Sequence, residues 1–541
     1  MSAGRLTALC VAMVLAVPAA AHAFCGFYVA GSNEPMFNDA TQVVLMRKGT
    51  RTVLAIQNNY KGPVQDFAMV VPVPVVLHEG DVKTLPKEAF ADVERMSAPR
   101  LVEYWEQDPC MKDRDREEMR AQMGAAPAAD AAASEGGRGG GVVVEAKFVV
   151  GEYQIEILSA KDSTGLDEWL HDHHYKVPAG AEPLLRPYVE GGSKFFVAKV
   201  DPNKVKLVDG RIALSPLRFH YDTEEFALPI RLGLANSSGK QDLIVNIFAP
   251  EQRYEVANYK NVTIPTNLDV TDAVKSKFGG FYAALYDRTV EKNPGAVVTE
   301  YAWAAGSCDP CPGPTLSPET LTTLGADVVD AFSPDERKAR DAADAAQAQV
   351  QHMYQENLPQ AEQSERITHW QELERLAPRR TEVWNLVLTR LHARYGKDIT
   401  NDLVFKQAPP IVGGREHVID PQTGKLEEGA QPASSNNFQG RYAIRHGWTG
   451  PIRCLDPVRG RWGGPPAGVE SQGTQPALDL AFAPRDQVKL ADVVLKGIPE
   501  LDVRARRTGC GCQAGDPAGL LGALVLGAVA FFRPRRRGAR Q

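Results

Sequence analysis

Two short stretches of this chain hold residues whose types and spacing could do chemistry. Cys308-Asp309-Pro310-Cys311 sets two thiols three positions apart, the arrangement of dithiol pairs that exchange disulfides when the first thiol opens a helix. Pro312-Gly313-Pro314 follows directly, so no helix is expected to begin inside the motif, and a structural disulfide is the preferred reading. A zinc site would need two further ligands, and only Cys454 offers another thiolate. The second stretch is His171-Asp172-His173-His174. His171 and His174 would share one helical face, a spacing able to hold a metal ion. No third ligand stands out, and a helix C-terminus favours histidine on electrostatic grounds alone. A solvated helix end is therefore preferred, and no cofactor is expected. His220, His392 and His446 lie in strand-like surroundings and read as core or surface residues.

Other reaction classes lack their signatures. There is no strained G-x-S-x-G nucleophile turn and no H-E-x-x-H zinc helix. A phosphate-cradling G-x-x-x-x-G-K-[ST] loop and a dinucleotide fingerprint are missing too. The formal charge of −6 is unevenly spread: residues 1–23 carry +1 and residues 510–541 carry +4, so the stretch between carries −11. An acidic body argues against nucleic acid, whose phosphates need clustered cations.

The elements that must position these residues read as strands over most of the chain. At 541 residues with 43% hydrophobic content, the protein can bury several cores. "TQVVLMRKGTRTVLAIQNNYKGPVQDFAMVVPVPVV" holds three β-rich runs separated by Lys48-Gly49 and Lys61-Gly62-Pro63, the pattern of a meander. Pro72 and Pro74 lack N–H groups, so that strand is expected at a sheet edge or running into a loop. Residues 24–120 form an N-terminal β-rich unit, and 121–141 a flexible Ala/Gly linker. Residues 142–316 form a second β-rich unit containing a short amphipathic helix around Leu166, Trp169 and Leu170. Residues 317–378 turn to Ala, Glu, Gln and Arg and read as a helical segment with a polar surface. In "EVWNLVLTRLHARY", Trp384, Val387, Leu388, Leu391 and Tyr395 fit a helical face. The β-branched content and local alternation fit a strand, and strand is preferred. Residues 379–507 form a mixed, loop-rich C-terminal unit. The fold class is α+β and β-rich, with antiparallel sheets in two units and a helical segment between them and the C-terminal region.

Both ends of the chain point to a membrane. Arg5, the 12 apolar residues Leu6–Val17, Pro18 and Ala21-His22-Ala23 make a secretory signal, cut by signal peptidase between Ala23 and Phe24. That run is too short for a span, which needs ~20 residues. Outside the cytoplasm thiols oxidise, so Cys25, Cys110, Cys308, Cys311 and Cys454 are expected to be mostly disulfide-bonded. Two bonds with one thiol left over allow 15 arrangements. The reading prefers Cys25–Cys110 with one bond among Cys308, Cys311 and Cys454.

At the other end, residues 508–541 read "TGCGCQAGDPAGLLGALVLGAVAFFRPRRRGARQ". Ala518–Phe532 would make a helix of about 22 Å, short of a ~30 Å hydrocarbon core. The arginines behind it favour the cytoplasmic side and stop export. Cys510 and Cys512, the short helix and the arginine cluster resemble the myxobacterial C-terminal sorting domain. That resemblance implies cleavage by a membrane-embedded sorting protease and retention on the cell surface through lipid on one of the two cysteines.

A second resemblance covers most of Cys25 to about Cys454. "CGFYV", "DFAMVVPVPV", "LDEWLHDHHYKVP", "LSPLRFHYD", "YAWAAGSCDPC", "TRLHARYGKDITNDLVF" and "FQGRYAIRH" are similar to the motifs of an exported bacterial family, domain of unknown function 2330. It implies one shared architecture and brings no activity. The resulting expectation is an exported protein held at the cell surface or outer membrane by its tail, binding or scaffolding envelope components without catalysis. The alternative is an exported metal- or thiol-dependent enzyme using His171 and His174, or Cys308 and Cys311.

Overall fold

The computed structural model describes residues 27–30, 37–61, 67–110, 144–160, 163–173, 175, 181–208, 211–236, 241–330, 332–353, 358–396, 398–415, 427–469, 471, 473–478, 480, 485 and 488–505. The signal, the Ala/Gly linker, Cys25 and the sorting tail fall outside them.

The fold is mixed α+β and rich in strands. The N-terminal strands are β1 (Phe27–Ala30), β2 (Phe37–Lys48), β3 (Arg51–Lys61) and β4 (Phe67–Val73). Helix α1 (Glu88–Ser97) leads into β5 (Arg100–Glu106). Next come β6 (Val144–Val150), β7 (Tyr153–Ser159), α2 (Ser163–Asp172), α3 (Glu182–Glu190) and β8 (Lys194–Val200). They are followed by β9 (Leu217–Asp222), β10 (Gln241–Pro250), α4 (Phe278–Lys292) and β11 (Ala296–Ala304). Two further helices, α5 (Pro334–Met353) and α6 (Gln360–Leu376), precede β12 (Leu386–Tyr395), β13 (Asn437–Gln439) and β14 (Arg441–His446).

An eleven-stranded sheet forms the centre, with β13-β11-β12-β10-β2-β3-β9 as its consecutive strands. Its strands come from the three stretches that read as separate units along the sequence. They meet because β10 lies parallel to β2 and antiparallel to β12. Strands in such a position are covered on both faces and read as near-continuous apolar runs. "VVLM", "VLAI" and "LIVNIFA" are such runs. In β2 the side chains alternate, Val43 and Leu45 joining one core cluster while Val44 and Met46 join another.

The expected meander is broken at its third run. β2 and β3 form an antiparallel hairpin, but β4 leaves for a second sheet of order β1-β4-β8-β7-β6. Its inner face, with Val71, Ile157 and Phe196, closes on the central sheet, and its outer face is covered by α2 and α3 through Leu166, Leu170 and Leu185. β4 follows the proline rule in part. It lies between two strands, yet β1 pairs only with 67–70, so Pro72 faces a partner on one side, at Phe195.

The segment from 317 to 378 holds α5 and α6. Helix α5 buries Ala343, Ala346, Val350 and Met353, whereas α6 buries no residue, which matches its polar composition. The ambiguous "EVWNLVLTRLHARY" supplies strand β12. Trp384 stays outside it, 71% exposed.

Candidate functional site

Strand β12 carries Arg390, His392 and Arg394 on alternate positions, which sets all three on one face of the sheet. The neighbouring β10 places Asn246 opposite Arg390, Ile244 opposite His392 and Asp242 opposite Arg394. On the other side, the β11–β12 register shifts between Thr299 and Tyr301, leaving Glu300 as an extra residue. Bulges re-aim side chains in this way, and here the bulge turns Glu300 toward β12. Helix α4 closes the layer with Tyr282 and Tyr286, four apart and therefore on one helical face.

Glu300 is the hub. Its Oε2 accepts from Arg390 Nε at 2.7 Å, and its Oε1 accepts from Tyr282 OH at 2.6 Å. His392 Nδ1 lies 2.7 Å from Oε1, and the imidazole stacks on the Tyr286 ring at 3.6 Å. On the far side His392 Nε2 is 3.8 Å from Asp242 Oδ1. Asp242 takes a bidentate fork from Arg394, with distances of 2.7 and 2.9 Å. Arg394 reaches Asp287 at 2.8 Å, and Arg485 bridges Asp242 and Asp287. Arg390 also donates to Ser97 Oγ at 3.3 Å, which ties in the end of α1.

The group sets acids against cations, with His392 between Glu300 and Asp242. Glu300, Asp242 and Asp287 face Arg390, Arg394 and Arg485, and the side chains of Glu300 and Arg390 are both 0% exposed. Burial alone would raise the Glu300 carboxyl. The charge and hydrogen bond of His392, the Arg390 charge and the Tyr282 hydroxyl outweigh it and hold the group at about 2. Asp242 follows the same logic: burial pushes it up, while the Arg394 hydrogen bond and the charges of His392, Arg394 and Arg485 bring it to about 2. The Tyr282 and Tyr286 hydroxyls are pushed well up, first by burial and then by the adjacent carboxylates. The network keeps both acids ionised and both phenols neutral. Arg390 Nη2, His392 Nε2 and the Tyr286 hydroxyl are buried without a hydrogen-bond partner, and the network reaches the surface at its Asp287–Arg485 end, at 30% and 31% side-chain exposure. Through these contacts the network ties β10, β11 and β12 to α4.

The cysteines fall in two places. Cys110 bonds to Cys454 across 344 residues, with Cα atoms 5.5 Å apart. The expected Cys25–Cys110 pair is thereby corrected. The reason is topological: β5 and β14 run parallel, with Arg100 beside Arg441 and Trp105 beside His446. Their continuations leave the sheet at the same end and bring Cys110 to Cys454. The second bond is Cys308–Cys311, with Cα atoms 5.0 Å apart. Cys308 packs against the cluster that contains Met96 and Tyr301, while Cys311 is exposed.

His171 is at the exposed end of α2, its Nδ1 2.8 Å from the Asp167 carbonyl and 3.4 Å from the Asp167 carboxylate. His173 stacks on Trp169 at 3.8 Å. His174 lies outside the described residues, and among those described no group of three or more His, Cys, Asp or Glu is arranged to hold a metal ion.

Sequence reasoning placed His392 in the core or at the surface and passed over its neighbours. The available signal was the period-two pattern Arg390-x-His392-x-Arg394. Charged and imidazole groups on every second residue of an otherwise apolar strand require buried acids opposite them.

A second polar site is a cleft of about 480 Å³ lined by Arg340, Asp344, Trp370, Glu374, Arg380 and Glu382. Arg340 there pairs with Asp344 at 2.9 Å and with both oxygens of Glu374.

Against known proteins, a family model described as an uncharacterized protein conserved in bacteria, DUF2330, matches residues 18–406. No curated protein matches the chain. Among solved structures, a crystal structure of baculovirus P35 is similar at 13% identity with a TM-score of 0.19. The match covers 41% of this chain and 66% of that one.

Proposed function

We propose that this chain, which belongs to the DUF2330 family of bacterial proteins, is exported, is held at the cell surface by its C-terminal tail, and binds or scaffolds envelope components without catalysis. The observation that carries the reading is the Cys110–Cys454 bond. Disulfides of this long-range kind persist in oxidising compartments and are rare in the bacterial cytosol. The signal-like N-terminus, the −11 body and the cysteine–helix–arginine tail are consistent with that placement. Among the described residues, no helix is long and apolar enough to cross a membrane; the tail is assigned to anchoring on its own sequence pattern of cysteines, apolar run and arginines. The non-catalytic half rests on the Glu300 network, whose acids and arginines neutralise one another inside the protein.

Mass spectrometry of surface-released protein is expected to find a start at Phe24 and no C-terminal helix. An intact arginine tail on surface material would defeat the sorting step. Cross-linking on intact cells is expected to capture envelope components. Stoichiometric transition metal, lost on replacing His171 and His174, would instead support an exported metalloenzyme.

The disulfide gives a separate prediction. Replacing Cys110 and Cys454 together with serine is expected to lower stability by about 2–4 kcal/mol, since the bridge closes a very long loop. Denaturant unfolding checks it, and an unchanged midpoint would mean the bond does not brace the fold.

A further inference from the structure

We infer that Cys308–Cys311 is an exchangeable disulfide that accepts an exported thiol, rather than a structural brace. The bridge spans three residues, too short a loop to constrain the unfolded chain appreciably, whereas Cys110–Cys454 spans 344 and constrains nearly all of it. The two sulfurs also differ in access. Cys311 is exposed at the surface, and its partner Cys308 is half-buried against the core.

A buried cation is also bound to the backbone of the motif, at the residue before Cys311. Arg100 is fully buried. Its guanidinium donates to the Pro310 carbonyl at 2.7 Å, inside the motif, and to the Met96 and Ala98 carbonyls at 2.6 and 3.4 Å. It lies over the Tyr301 ring at 5.5 Å. These partners are neutral. Burial pulls the Arg100 pKa down to about 10, with Tyr301 opposing and Arg390 adding to the fall. Gln439 Nε2 holds the other motif carbonyl, at Asp309. The loop is thus pinned at two carbonyls, with a positive charge beneath it that lacks an anion. Arg95 passes over Gly313 and pairs with Asp92. Asp309, within the motif, is the acid that opposes them. No helix begins inside the motif to stabilise a thiolate; the Arg100 guanidinium, held at the Pro310 carbonyl between the two cysteines, is the cation assigned that part.

In the exchange, the incoming thiolate attacks Cys311 Sγ and forms a new S–S bond to it. The Cys308–Cys311 bond breaks, and its electron pair leaves on Cys308 Sγ as a thiolate. Attack by Cys308 on the mixed disulfide reverses the step and returns the thiol. The co-reactant is a low-molecular-weight or protein thiol outside the cytoplasm, for which glutathione is the probe. The chemistry does not depend on the proposed surface anchoring, because purified protein tests it directly.

Full-length mature protein would be equilibrated in glutathione buffers, quenched by alkylation and read peptide by peptide by mass spectrometry. Cys308–Cys311 is expected to open at a reducing ratio at least about tenfold lower than Cys110–Cys454. Opening of both bonds together, or of Cys308–Cys311 last, would overturn the proposal. In Cys311→Ser protein, the pH profile of Cys308 alkylation is expected to turn below the ordinary thiol value of about 8.5. A turn at or above it removes Arg100 from the account. Arg100→Met is expected to slow Cys308 alkylation at pH 6 by about tenfold while Arg100→Lys retains it, consistent with cation control of a thiol. Should Arg100→Met fail to fold, the Cys311→Ser profile still decides.

Discussion

Replacing Glu300 with alanine is expected to destabilise the protein by about 3–5 kcal/mol, the cost of leaving a buried charge without its partner. Arg390 would lose its carboxylate at 2.7 Å, and Tyr282 and His392 would lose their shared acceptor. None of the three can turn to water, because Tyr282, Arg390 and His392 are all buried. The fully buried Arg390 carries most of the penalty. Glu300→Gln keeps the shape and one acceptor oxygen but removes the charge, so it should cost less than alanine and more than a surface change. A compensated pair, Glu300→Leu with Arg390→Met, is expected to recover part of the loss, since a well-packed apolar replacement can match a buried ion pair. Denaturant midpoints for the three variants measure this. A loss under about 1 kcal/mol for Glu300→Ala would put the carboxylate in contact with solvent and reopen the question of a reactive site.

How far the sequence already contained this site can be traced residue by residue. The strand that carries Arg390, His392 and Arg394 was readable, because β-branched content and alternation outweighed the helical face suggested by Trp384. The Ala, Glu, Gln and Arg composition of residues 317–378 likewise announced helices with little to bury, and α6 buries nothing. What the local pattern could not supply was which strands become neighbours. Pairing of β10 with β2 and β12 joins residues about 200 and 150 positions apart, and propensity does not encode that choice. The same gap accounts for the cysteines. Cys110 meets Cys454 only because β5 and β14 align in parallel, a non-local event that spacing arithmetic cannot order among 15 arrangements. Glu300 was hidden for a further reason. In "AVVTEYAWA" strict alternation would send Glu300 to one face and its neighbours to the other. The bulge that re-aims it is a register shift against β12, which the alternation of the strand itself does not reveal.

Acidification should remove the contribution of this network in a predictable window. Glu300 and Asp242 are both held at about 2 in the folded protein, against ordinary values of 4.5 and 3.8. Both groups are therefore depressed on folding. Such groups contribute stability that is fully present above the unfolded value and is lost as pH falls through the folded one. The unfolded chain takes up protons first, so stability should hold to about pH 5 and then decline steadily toward pH 2. A two-unit depression of a buried carboxyl corresponds to an order of 2–3 kcal/mol. The two acids share His392 as a neighbour, so their protonation should be coupled and their contributions should not simply add. Other acids also titrate in this range, which makes the difference between wild type and Glu300→Gln the informative quantity. That variant lacks the ionising group, so its disadvantage should be largest near pH 6 and shrink toward pH 3, where Glu300 takes up its proton in the unfolded wild-type chain while the folded one stays ionised. Urea midpoints measured for both proteins across that range give the comparison directly. Parallel curves, separated by the same amount at pH 6 and pH 3, would mean that Glu300 does not bind its proton more weakly in the fold than in the open chain, and the ionised hub would have to be abandoned.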